Sequence, residues 1–140
     1  MRELNQATLD LIREFEGERL TVYRDPVGLP TVGVGHLVLP ADRLVVGRRI
    51  TREQSDRFLR QDLLKAQAAV ERISTPLTDN QYGALVSFTF NLGAGGLQKL
   101  LRKGTGAIPN RMLLFVFARG KKLRGLIRRR IAERKLYLTP

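Results

Sequence analysis

Apolar residues recur along this chain with two different periods, and the change of period marks its parts. Leu9, Ile12 and Phe15 follow at intervals of three behind Asn5, a good N-cap, and ahead of Gly17, a natural stop. That spacing predicts a helix with Glu16 in its last turn. Leu20 to Tyr23 and Thr31 to Leu37 are β-prone runs separated by Pro26, Val27 and Gly28, the composition of a hairpin turn. A turn centred on Gly28 sets Asp25 and Thr31 opposite each other on one face. Thr51-Arg-Glu-Gln54 has capping-box spacing and opens a long helix with Phe58, Leu59, Leu63, Ala66 and Val70 on one side. Helical signals follow at 79–91, 97–103, 109–118 and 124–136, with glycine loops at 93–96 and 104–106. Strands occur early and do not return. The pattern therefore predicts an α+β fold: a small N-terminal lobe with a β-hairpin sheet over 1–50, then a connecting helix and an all-helical C-terminal lobe over 51–140.

Length and composition narrow the chemistry. At 140 residues the chain can bury a real core. It has no cysteine and one histidine, and no carboxylate cluster has calcium-loop spacing, so neither a metal nor a cofactor is expected. Charges interrupt the opening MRELNQATLDLIREFEG, which does not read as a signal peptide, and no apolar stretch approaches the roughly 18 residues of a membrane span. The expectation is a soluble protein made in the cytoplasm. Charge is lopsided. Residues 1–70 carry 11 Lys/Arg against 10 Asp/Glu, while residues 71–140 carry 14 against 3, a net of +11. An anionic partner is implied: nucleic acid, an anionic membrane or an acidic wall polymer.

The run EGERLTVYRDPVGLPTVGVGHL at 16–37 concentrates the candidate chemistry. Gly33-Val-Gly35 lacks the third glycine of a dinucleotide fingerprint, and Gly93-Ala-Gly95-Gly96 lacks the Gly-Lys-Ser/Thr of a phosphate loop. No serine sits in a nucleophile elbow, and His36 has no Ser or Cys partner in view. Paired carboxylates survive. Hydrolysing a glycosidic bond needs one acid to protonate the leaving oxygen and a second carboxylate to activate water or attack the sugar. Glu16 at a helix end and Asp25 at a hairpin rim could serve, although seven Glu and six Asp make some such pair inevitable.

The same run resembles the phage-type lysozymes, or muramidases. It carries Glu16-Gly17, then Leu20, Tyr23 and Asp25, then Gly28, then Thr31, Gly33, Gly35 and His36, at that family's spacing. The resemblance continues through ITREQSDRFLRQDL from Ile50, SFTFNLGAG at 87–95 and GLIRRRIAERKLYL at 125–138, and so covers essentially the whole chain. It implies a lysozyme-like fold with a substrate cleft between two lobes. It also implies cleavage of the β-1,4 link between N-acetylmuramic acid and N-acetylglucosamine in bacterial peptidoglycan.

The resemblance assigns roles as well. Glu16 becomes the general acid, its carboxyl held partly desolvated, and Asp25 with the Thr31 hydroxyl positions the attacking water for an inverting reaction. Asn91 lines the cleft and binds substrate. His36 has a structural task, paired with Asp62 on the long helix. One of Arg128, Arg129 and Arg130 reaches toward Glu16, while at least two of the three are expected on a solvated basic face. The enzyme is expected to act as a monomer once the membrane has been permeabilised. Its basic half is expected to meet anionic wall or outer-membrane polymers rather than a specific nucleic acid. Family members carry tryptophan in the helical lobe, and this chain has none; Phe115 stands at one such place. The competing reading is a basic membrane-disrupting or nucleic-acid-binding protein with a degenerate lysozyme site, which leaves Glu16, Asp25 and Thr31 unexplained.

Overall fold

A computed structural model describes residues 1–140. Its elements are α1 (Gln6–Glu16), β1 (Arg19–Arg24), β2 (Pro30–Gly33), β3 (His36–Leu37), α2 (Arg52–Val70), α3 (Asp79–Leu101), α4 (Ile108–Met112), β4 (Phe117–Ala118), β5 (Lys121–Lys122) and α5 (Arg124–Leu138). The chain divides into two compact units, Glu16–Leu64 and Met1–Phe15 with Lys65–Pro140. The sequence suggests a division at residue 50; by packing, the boundary runs through α2, and residues 1–15 group with the second half of the chain.

The 16–64 unit is built on a three-stranded antiparallel sheet in the order β1-β2-β3. Leu20 and Val22 point inward from β1 while Arg19, Thr21 and Arg24 stay exposed, the alternation of a half-buried strand. Residues 47–50 close the other edge of β1 through Val22 N–H to Arg48 O and Ile50 N–H to Leu20 O, both 2.8 Å. Val22, Val32 and Ile50 form the core, with Leu20, Val38, Leu44 and Phe58 against it. Each such fully buried side chain contributes about 1.5–3 kcal/mol. The run 31–37, expected as one strand, is two. The chain reverses between Val32 and His36, which pair across a turn where Gly33 and Gly35 take φ +66° and +69°. Gly33 has a second reason to lack a side chain, since a Cβ there would stand 2.9 Å from Ser55 Oγ on α2.

In the other unit, Asn5 caps α1 by accepting from Thr8 N–H at 3.0 Å. Thr8 is buried against Gly83 of α3, where a Cβ would fall 1.7 Å from Thr8 Oγ1 and force the two helices apart. The span α3 stays helical through most of the 93–96 glycine cluster and breaks only at Gly93 (φ +77°, ψ 173°). Thr78 and Gln81 form its capping box, and Thr51 and Gln54 form one at the start of α2. The helix expected over 109–118 is a departure. Only Ile108–Met112 is helical, and β4 and β5 then pair as a short hairpin turning at Arg119 (φ +52°) and Gly120 (φ +76°). A left-handed arginine is an uncommon turn residue, which is why periodicity carries the helix too far. Phe115 packs edge-on to Phe88 with centroids 5.1 Å apart.

Candidate active site

Glu16 is the final residue of α1, and Gly17 after it takes φ +76°, the left-handed conformation that ends a helix without a Cβ clash. Its side chain is exposed rather than partly desolvated as expected, because it leaves the helix at the surface beside a residue with no side chain. Glu18, two residues on, is a structural acid instead: it accepts from Ser55 Oγ at 2.7 Å and pairs with Arg52 at 3.4 Å.

Asp25 organises the hairpin tip. Its Oδ1 accepts from the backbone N–H of Val27 (3.0 Å) and Leu29 (2.8 Å), and its own N–H donates to Leu29 O (2.9 Å). The loop is thus Pro26-Val27-Gly28, closed by Asp25 and Leu29, with Gly28 at φ +90° as its last residue. That is a three-residue hairpin with the left-handed residue at its end, so the turn is centred on Val27 and not on Gly28. Thr31 therefore lies opposite Tyr23, two pairs further along, and not opposite Asp25. Strand alternation still puts Tyr23, Asp25 and Thr31 on the same face, with Asp25 and Thr31 as diagonal neighbours. Thr31 is buried, and its hydroxyl donates to Leu29 O at 3.0 Å. With that proton committed, the hydroxyl oxygen can only accept. Asp25 Oδ2 makes no hydrogen bond within the chain, so two acceptors remain for a water molecule.

His36 and Asp62 meet at 2.8 Å through Nδ1. A second acid, Asp42, takes Nε2 at 2.9 Å, and the ring stacks on Phe58 with centroids 4.0 Å apart. Asp42 gives no signal in the sequence: it sits in a single 3-10 turn, Pro40–Asp42, where no periodicity exists to read. Burial alone would lower the histidine pKa, but the two carboxylates outweigh it and raise the pKa above 6.5. Asp42 is pushed up by burial and pulled down further by the Leu39 N–H and His36, so its pKa falls below the usual value. The histidine contribution is therefore complete below its unfolded pKa and is lost as pH rises through the raised one. The Asp42 contribution is present above its unfolded pKa and is lost as pH falls through the depressed one. Stability from this cluster should be greatest between about pH 4 and 6.5. Asp62→Asn is expected to cost about 1 kcal/mol there and clearly less at pH 9, read by urea melts at both values. Equal cost at both would show that charge on His36 is not involved.

Among the three arginines, only Arg128 is exposed; Arg129 and Arg130 are 3% and 0% exposed, against the expectation that two would be solvated. Glu133, also 0% exposed, accounts for this. Its Oε2 accepts from Ser87 Oγ (2.5 Å) and Arg129 Nε (3.2 Å). Arg130 Nε lies 2.9 Å from its Oε1, at ion-pair distance but not aligned as a hydrogen bond. Arg130 Nη2 donates to Asn91 Oδ1 at 2.6 Å. The i, i+3 and i, i+4 spacing of the last acid in the chain to two arginines is the signal that could have found this cluster.

The phage lysozyme family profile matches residues 13–133. The endolysin of Salmonella phage P22 is 36% identical over 147 aligned residues, covering 99% of this chain and 100% of that one. The muramidase domain of SpmX from Asticaccaulis excentricus superposes with a TM-score of 0.82 at 36% identity, covering all of both chains. A single-site mutant of P22 lysozyme superposes at 0.88 with 32% identity, covering 99% of this chain and 100% of that one. The chain belongs to the phage lysozyme family, and it is a glycoside hydrolase that degrades peptidoglycan.

Proposed function

We propose that the enzyme cleaves the β-1,4 bond from N-acetylmuramic acid to N-acetylglucosamine with inversion, using Glu16, Asp25 and Thr31. The observation that carries this reading is the division of labour within Asp25: one oxygen is held by two turn amides, and the other is left for water. Water donating to Asp25 Oδ2 and Thr31 Oγ1 has its lone pair directed at the anomeric carbon, while Glu16 protonates the leaving oxygen from the other face. Fixing Asp25 by the backbone costs nothing at the moment of reaction, which is what preorganisation requires. Asn91 binds the glycan, and His36 with Asp62 stiffens the fold around β3. Digesting purified peptidoglycan and reducing the products with borohydride tests the bond assignment. New ends must appear as reduced N-acetylmuramic acid; reduced N-acetylglucosamine ends would overturn it.

The basic half supplies wall affinity in this proposal. Residues 99–140 hold 13 Lys/Arg against Glu133 alone; Arg129 and Arg130 are buried with that acid, and the other 11 carry the basic character of this half. Sedimentation with insoluble peptidoglycan should fall steeply from about 0.05 to 1 M salt, where the Debye length shrinks to about 3 Å. Turnover of a short uncharged oligosaccharide should change little, and equal sensitivity of both would remove this role. Action as a monomer after the membrane is permeabilised belongs to the same proposal. No helix is long and apolar enough to cross a membrane.

A further inference from the structure

Asn91 is half-buried, and its amide could in principle point either way. Arg130 removes that freedom. A guanidinium has five donors and no acceptor, so only the amide oxygen can face it, and the observed contact is Nη2 to Oδ1 at 2.6 Å. Turning the amide over would set NH2 against NH2. The guanidinium cannot swing away either, because it is fully buried, sits 5.0 Å over the Phe88 ring and lies at ion-pair distance from Glu133. Glu133 is itself held by Ser87 and Arg129. The Nδ2 group of Asn91 then has no hydrogen bond within the chain, which leaves two N–H donors for an outside acceptor.

We propose that Arg130 is a positioning residue that fixes Asn91 with its NH2 group presented to the glycan, where it donates to an amide carbonyl oxygen. This rests on the lysozyme reading and deepens it. Two parts of peptidoglycan offer that chemistry, the 2-acetamido group of its sugars and the amides of its peptide stems. The 2.6 Å contact also polarises the amide, which makes its N–H groups better donors.

The test uses steady-state kinetics on soluble peptide-bearing glycan strands and on the same strands stripped of peptide by an amidase. Asn91→Asp keeps an oxygen toward Arg130 and turns the outward donor into an anionic acceptor. It should melt no lower than the parent, raise KM at least about tenfold and leave kcat within about twofold. The double substitution Arg130→Gln with Glu133→Gln keeps the buried net charge the same but lets the amide take either orientation. It too should raise KM, by about three- to tenfold, with kcat unchanged. Unchanged KM in Asn91→Asp, or a loss in kcat alone, overturns the proposal. A rise that persists on stripped strands assigns the carbonyl to a sugar acetamido group; a rise seen only on peptide-bearing strands assigns it to the stem. Glu16→Gln, assayed in parallel, separates the two levels. If it is inactive while Asn91→Asp is unaffected, the positioning role fails and the lysozyme assignment stands.

Discussion

Glu16→Gln is expected to fold like the parent and to clear peptidoglycan about 10²–10⁴-fold more slowly, the range a general acid supplies. Glutamine keeps the shape and the outward amide oxygen but has no proton to give at catalytic strength, so the leaving sugar must depart as an alkoxide. Folding should change little, because the side chain is exposed, glutamine keeps its size, and an exposed contact is worth at most about 1 kcal/mol. Circular dichroism melts within about 2 °C of the parent, with turbidity clearing nearly abolished, are the joint result expected. Clearing at near-parent rate would mean that another group protonates the leaving oxygen.

The largest effect on stability should come from Glu133→Gln. Burial pushes the Glu133 carboxyl up and the Arg130 guanidinium down, so each charge is held in place by the other and by Ser87, Arg129 and Asn91. Removing only the negative member takes a paired carboxylate away from two buried guanidinium groups, at a cost of about 3–5 kcal/mol. For a chain of this size that corresponds to a fall of roughly 10–15 °C in Tm. Arg128→Ala, at the exposed neighbour, should stay within about 0.5 kcal/mol and serves as the control. A Glu133→Gln melt indistinguishable from that control would show that the cluster is not a mutually dependent unit.

Local rules carry much of the fold. Caps and stops are short-range chemistry, and Asn5, Thr51 and Gly17 act where their sequence context places them. The hairpin register is not legible to one residue, because Gly28 marks the end of its loop and a glycine in a turn does not say which position it fills. The split of 31–37 into two strands turns on Gly33 and Gly35 taking positive φ, which a β-prone run does not announce, and the close approach of Gly33 to Ser55 is a contact between residues 22 apart. At the site, the identities of Glu16, Asp25 and Thr31 come from family spacing, while their chemistry comes from the structure. No sequence rule says that Asp25 spends one oxygen on the turn, or that Thr31 commits its proton to Leu29. The burial of Arg129 and Arg130 is hidden for a general reason: charge runs are ordinarily solvated, and only a buried acid on the same helix reverses that.

The most direct measurement is the anomeric configuration of the first product, followed by proton NMR on soluble glycan strands before mutarotation. A water held by Asp25 and Thr31 on the face opposite Glu16 delivers inversion and needs carboxyl groups roughly 6.5–9.5 Å apart. The new reducing end should therefore appear first as the α-anomer and drift toward equilibrium. A reducing end that appears first as the β-anomer would contradict this account and make Asp25 the attacking group.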